Sequence, residues 1–188
     1  MAALSYQPPI SVEEYLELDR NSQNARYEYI DGHVTMLAGG SLNHSTIAVN
    51  ITSILKAHLR GGSCRVFNSD ARVRLSESRI VLPDASVTCD ARDRGEGDIV
   101  EYPVLVVEVL SPSTEAYDRG LKFAYYRDCP TIQEYLLIDS QRQAIEVYRR
   151  ERRDLWVLRT ISPETDVELA SLGVRFSFDA VYEDVDFP

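Results

Sequence analysis

The sequence predicts an α/β fold, a mixed central sheet flanked by helices, in one domain over residues 1–188. Three observations predict it. "PVLVVEVL", from Pro103 to Leu110, is a Val-rich apolar run bounded by prolines and reads as a strand buried on both faces. A helical stretch from Glu115 to Arg127 and a second apolar strand, "TIQEYLLID", come next, and that order lays the two strands parallel. Asp31-Gly32 joins two alternating runs in "RYEYIDGHVTML", which is a strong hairpin signal.

Taken in order, Pro8 and Pro9 precede a short amphipathic helix, Ser11 to Leu18, in which Ser11 and Glu14 are spaced as a capping box. The hairpin follows. "SLNHSTIAVNITSILKAHLRGG" carries Ile47, Ile51, Leu55 and Leu59 at helical spacing and ends in glycine, so it predicts a helix packed by one face. "RVFNSDARVRL" and "RIVLPDASVT" predict two strands joined through "SES". The polar "CDARDRGEGDIVEY" then leads to "PVLVVEVL". "QAIEVYRRERRDLWVLRTI" predicts a closing hairpin with Trp156 on its return strand, while the tail from Ser162 alternates only weakly.

Composition narrows the function classes. With 44% apolar residues the chain can close a sizeable core. Cys64, Cys89 and Cys129 are odd in number and form no CxxC pair. That argues against a disulfide framework and against a zinc site, and leaves three buried small residues in a reducing compartment. "MAALSYQPPI" lacks the basic and apolar regions of a signal peptide, and no apolar run is long enough to span a bilayer. A cytoplasmic location without a membrane partner is expected. The net charge of -10 opposes a broadly basic DNA-binding surface, so any contact with nucleic acid must rely on local charge.

The chemistry is concentrated in two acids. Glu108 interrupts "PVLVVEVL" and Asp84 interrupts "IVLPDASV" on the neighbouring expected strand, after Pro83, which removes a ladder donor. An ionised carboxylate in a dry sheet is costly unless it is protonated, paired or bound to a metal, and two side by side repel. A divalent cation removes that penalty, and magnesium needs only one or two carboxylates. Neutralisation by Arg72 or Arg74 is the other way out.

Lys122, in "DRGLKFAYY", can hold or donate a proton as an arginine cannot, and only Lys56 is a lysine besides it. Asp118 and Tyr126 fall one turn before and after it on the same face. Glu28 lies on one face of the hairpin with Arg26 and Ile30, and could simply pair with an arginine. His44 opens the long helix behind Ser41 or Asn43 as caps, and is an accessory candidate, as is Tyr126. Tyr125, Tyr126 and Tyr135 read as core or rim, and His33 and His58 as solvent-exposed. Arg149, Arg150, Arg152 and Arg153 form either a solvated turn or a nucleic-acid-binding patch.

The order Pro-Asp, then an apolar strand holding Glu, then Lys resembles the PD-(D/E)xK nuclease motif of restriction enzymes. More closely, "RYEYIDG", a Ser/Asn-His pair before the long helix, "PD", "VVEVLSPST", "DRGLKFAYY" and "EYLLID", in that order, resemble the Uma family. These are bacterial domains classed with restriction endonucleases and of otherwise unknown function. The resemblance runs from about Ser11 to Arg150. It implies a restriction-endonuclease-like core, Mg²⁺ or Mn²⁺ as cofactor, and phosphodiester cleavage with nucleic acid, DNA first, as partner.

Residue by residue, the resemblance carries Asp84 and Glu108 over as metal ligands, Lys122 as the catalytic lysine and Glu28 as an extra acid. In the mechanism that follows, the carbonyl of Val109 completes the metal site. Leu110 stands where the motif's own lysine would be, so Lys122 is expected to reach the site from the following helix. A homodimer is expected from the two strands of a duplex. Two other classes stay open: a nuclease-like nucleic-acid or protein binding module, and a hydrolase of a smaller phosphoester.

Overall fold

Ser11 opens the first helix as its spacing with Glu14 predicts. The Ser11 Oγ accepts from the Glu14 N–H at 3.1 Å, and the Glu14 carboxylate accepts from the Ser11 N–H at 2.7 Å. The computed structural model describes residues 8–187. Residues 1–7, which carry most of the stretch read for a signal peptide, lie outside the described residues.

Helix α1 (Val12–Asn21) leads to β1 (Tyr27–Ile30) and β2 (His33–Met36), paired antiparallel. Their turn has Asp31 at φ 49° and Gly32 at φ 90°, the double left-handed conformation that a two-residue hairpin needs. Helix α2 (Leu42–His58) starts at Ser41, whose hydroxyl caps the His44 N–H. Short strands follow: β3 (Arg65–Asn68), β4 (Arg72–Ser76), β5 (Arg79–Val81), β6 (Ala85–Thr88) and β7 (Ile99–Val100). The long strand β8 (Pro103–Leu110) comes next.

After β8 the chain coils through α3 (Glu115–Tyr117), a π-helical turn over Asp118–Lys122, and α4 (Phe123–Asp128). Then come β9 (Glu134–Asp139), β10 (Ile145–Arg152), β11 (Leu155–Ile161), β12 (Val167–Leu169), β13 (Val174–Phe176) and α5 (Phe178–Val181).

The strands form a six-stranded mixed sheet in the order β11-β10-β9-β8-β6-β3, a five-stranded sheet β2-β1-β5-β4-β7, and the β12-β13 hairpin. As the crossover predicts, β8 and β9 run parallel, with Leu105 opposite Glu134. Alternation along β6 and β8 gives the six-stranded sheet two apolar faces. Ala85, Val87, Leu105, Val107 and Val109 pack with Ile47, Ile51 and Leu55 of α2. Val106 and Leu110 pack with Tyr126 of α4 and with Val73 and Val81 of the five-stranded sheet.

Three expectations are corrected here. "RVFNSDARVRL" and "RIVLPDASVT" are not two strands but four, and each run crosses from one sheet to the other. The breaks fall at the turn that returns the Ala71 N–H to the Asn68 carbonyl, and at Pro83, which has no N–H for a ladder. The tail, read as weakly alternating, forms β12, β13 and α5, and buries Phe176, Phe178 and Tyr182 against the α2 face. Two of the cysteines are not separate small residues. Cys64 and Cys89 are joined in a disulfide, because they flank β3 and β6, whose antiparallel register sets Arg65 opposite Thr88. Cys129 stays free and buried, as expected. No helix among the described residues is long and apolar enough to cross a membrane.

Candidate active site

The site lies where β6 and β8 part company with regular pairing. Ala85 is the last residue of β6 in the ladder, opposite Val107. Two residues beyond, Pro83 has no N–H for another ladder bond, and between them the Asp84 carboxylate accepts the Val109 N–H at 2.7 Å. A residue that sequence alone marks as an oddity in a strand is thus the group that finishes the ladder. It brings Asp84 to the same sheet face as Glu108, since the alternate residues Ala85 and Val107 both belong to the α2-side core.

Leu110, on the Glu108 face, is packed into the core beside Tyr126, so the lysine of the motif could not stand there without charging that core. Lys122 supplies the cation from the helical segment instead. Its Nζ lies 2.7 Å from Glu108 Oε1, 2.9 Å from Glu28 Oε1 and 3.9 Å from Asp118 Oδ1. The π-helical turn makes this geometry: π turns widen the coil locally and recur at functional sites, and this one carries both Asp118 and Lys122 inward. The three partners come from β1, β8 and the helical segment, and all four charged groups are buried.

The remaining hydrogen bonds close the cluster. Glu28 also accepts the Leu82 N–H at 3.0 Å, and Tyr126 donates its hydroxyl to Glu108 Oε1 at 2.5 Å. Burial pushes the Glu108 carboxyl up to about 8; Lys122 opposes that push, and Asp118, Asp84 and Glu28 add to it. Burial also raises Asp118, against the pull of Lys122. Burial pulls Lys122 down, but Glu108, Glu28 and Asp118 outweigh it and hold the ammonium well above its ordinary range. Lys122 is therefore a charged, hydrogen-bonded cation.

His44 completes the wall. Its Nε2 lies 3.4 Å from Asp84 Oδ2. Burial alone would lower its affinity for a proton, but Asp84 and the backbone of Val109 more than reverse this. The imidazole leans over Gly40, where a Cβ would come within 2.7 Å of its ring. Gly40 is a residue that sequence reading missed, although the Gly39-Gly40 pair just before the Ser41 cap was a usable signal. Tyr117 and Thr114 were missed too; both line the cavity, about 350 Å³, that Glu28, Asp84, Glu108 and Lys122 also line.

Arg72 and Arg74 do not neutralise the two acids: Arg72 pairs with Asp19 and Asp98, and Arg74 with Glu101. Nor do Arg149 and Arg150 reach the cavity. Arg149 pairs with Glu134 at 2.8 Å, and Arg150 donates to the carbonyls of Ile132, Arg127 and Cys129 while stacking on Trp156. Arg152 and Arg153 sit exposed where β10 turns into β11. All of these lie away from the residues that line the cavity.

The donor set suits a hard divalent cation. Asp84 Oδ2 and Glu108 Oε1 are engaged by protein donors, which leaves Asp84 Oδ1 and Glu108 Oε2 without a hydrogen-bond partner among the described residues. Two carboxylate oxygens match the sparse protein ligation of magnesium. Among the described residues no group of three or more His, Cys, Asp and Glu is arranged to hold a metal, so any ion here would rely on water for its other positions.

Fold and sequence comparisons place the chain. The fold is shared with the crystal structure of a "putative nuclease belonging to DUF820" from Anabaena variabilis ATCC 29413, with a TM-score of 0.73 and 23% identity over 93% of this chain and 98% of that one. Residues 12–181 match the Uma2 family, described as "Putative restriction endonuclease", and the chain belongs to that family. Two relatives come from Synechocystis sp. (strain ATCC 27184 / PCC 6803 / Kazusa). The uncharacterized protein slr1290 is 41% identical over 181 residues, 96% of this chain and 95% of its own length. The uncharacterized protein sll1609 is 30% identical over 172 residues, 90% of this chain and 93% of its own.

Proposed function

We propose that the protein is a divalent-metal-dependent endonuclease of the PD-(D/E)xK type that hydrolyses phosphodiester bonds in DNA. One observation carries the reading: Asp84, Glu108 and Lys122 line the same cavity, with both acids on one sheet face. Asp84, Glu108 and the Val109 carbonyl are the groups that would hold Mg²⁺ or Mn²⁺. A bound divalent ion supplies Lewis acidity, which makes water a nucleophile near neutral pH and offsets phosphate charge. The chain's own residues position the reactants. Lys122, fixed by Glu28 and Glu108, presents an ammonium hydrogen-bond donor at the cavity wall. Tyr126 and Asp118 hold Glu108 and Lys122 in place. His44 braces Asp84 at Oδ2, the oxygen that also accepts the Val109 N–H.

A homodimer that presents one cavity to each strand of a duplex belongs to the same proposal. The free edge of β11, with exposed Leu155, Val157 and Leu158, supports it.

Plasmid DNA incubated with and without Mg²⁺ or Mn²⁺ tests the reading. Wild-type protein is expected to nick or linearise it only with metal, and Asp84→Asn to lose both metal uptake and cleavage. Cleavage that persists in Asp84→Asn sinks the proposal. One observation favours a second reading, that of a non-catalytic binding module: Lys122 already has two carboxylate partners, Glu28 and Glu108, without any ligand. Calorimetric titration with Mg²⁺ separates the two, because only the nuclease reading requires uptake.

A further inference from the structure

Strand β3 is an edge of the six-stranded sheet, and it runs from the level of the active-site acid to a concentration of positive charge. Asn68 stands opposite Ala85, next to Asp84, and Arg65 stands opposite Thr88. Those three residues of strand span about 10 Å, which is about three nucleotides of rise along one strand of a duplex.

At the Arg65 end, two cavities meet. One, about 660 Å³, is lined by Arg65, Arg92 and Arg94; the other, about 320 Å³, by Lys56, Arg60 and Arg65. Arg65 donates to the carbonyls of Gly62 and Cys64, and Arg94 to that of Ser63. Lys56 and Arg60 are exposed on the last turn of α2 and just beyond it. Among the described residues none of these four cations pairs with a carboxylate. The acids in the larger cavity are already engaged: Asp70 by Arg26, Asp93 by the backbone N–H groups of Glu101 and Tyr102, and Asp98 by Arg20 and Arg72.

A third cavity lies between this patch and the catalytic cavity. It shares His44 and Asp84 with the active site and reaches Asp70, which also lines the arginine-rich cavity. In a protein with a net charge of -10, four cations without a carboxylate partner at the ends of two adjoining cavities are a local exception.

We propose that Lys56, Arg60, Arg65 and Arg94 form the phosphate-binding track of this protein. They would hold a DNA backbone so that it runs along the outer edge of β3 into the cavity at Asp84. The proposal rests on the nuclease reading and extends it from the reacting bond to the flanking strand. Its chemistry is that of non-specific backbone contact: guanidinium and ammonium groups displace counterions from phosphates, which makes affinity fall with salt.

The test is binding of a short fluorescent duplex, without divalent metal, over a range of salt concentrations. Each lost phosphate contact lowers the slope of log affinity against log salt by about 0.9. Lys56→Ala with Arg60→Ala is therefore expected to reduce the slope by about 2. Arg65→Ala with Arg94→Ala is expected to do the same, with circular dichroism confirming that the loop variant folds. Because the first pair touches no internal acceptor, it keeps the test open if the second pair fails to fold.

Wild-type binding with an unchanged slope in the Lys56/Arg60 variant overturns the track, and so does the absence of wild-type binding. A reduced slope in variants of a protein that never cleaves DNA supports the track while removing the nuclease reading. Metal-dependent cleavage by the wild type with unchanged slopes removes the track alone.

Discussion

Lys122 is the residue on which the site's charge balance depends. Replacing it with Met leaves Glu28 and Glu108 facing each other in a buried place, and breaking a buried ion pair from one side costs roughly 3–5 kcal/mol. For a chain of this size that is a fall of roughly 10 °C in Tm, measurable by thermal unfolding. A second change, Glu28→Gln, should recover part of it. The sign of the pH effect follows from Glu108. Its folded value, about 8, lies above its ordinary 4.5. Between those limits the folded protein keeps a proton that the unfolded chain has released, so stability falls as pH rises through the window and is level above it. In metal-free buffer, Glu108→Gln should flatten that slope; a slope that survives the change contradicts the assignment.

At the same scale, Gly40→Ala should displace the His44 ring and lower cleavage with little change in Tm, since the strain falls on one half-buried side chain. Asp84 and Glu108 were legible in the sequence because an acid in an apolar run is a physical anomaly that has to be resolved somewhere, and Lys122 because a lysine stands out in a chain whose cations, Lys56 apart, are otherwise arginines. Asp118 and Tyr126 were legible from helical spacing. Gly40 and Tyr117 were not, since their roles depend on which loops fold over the cavity.

Among the elements, helices α1 and α2 and the β8–β9 crossover could be read directly, because capping, periodicity and connection length are local signals. The strands between Arg65 and Thr88 could not. Their apolar alternation continues through the points where the chain changes sheets, and only Pro83 marks one of the two breaks. The π-helical turn was equally invisible: Asp118 and Lys122 are four apart in either kind of coil, so composition does not distinguish them. The Cys64–Cys89 link was missed for a related reason, since the two cysteines become neighbours only through the β3–β6 register. That link closes a loop of 25 residues, for which chain entropy gives a stabilisation of about 3 kcal/mol. Cys64→Ser with Cys89→Ser should therefore lower Tm by several degrees under oxidising conditions. The same variant should show no further loss when reductant is added, whereas the wild type should fall to meet it.

For the whole molecule, the cluster around Lys122 lies across the join between the two larger sheets. Glu28 and Leu82 border it from the five-stranded side, Asp84 and Glu108 from the six-stranded side, and Lys122 from the helical segment between β8 and β9. The net charge, read as an obstacle to DNA binding, is offset locally at the Arg65 end of β3, where Lys56, Arg60, Arg65 and Arg94 have no carboxylate partner among the described residues. The hydrogen bond from the Leu82 amide to Glu28 links that join to something measurable. Deuterium can reach this amide only when Glu28 lets go of it, and Glu28 is itself anchored by the lysine. The exchange rate of one backbone proton therefore reports how often Glu28 releases its place in the cavity wall.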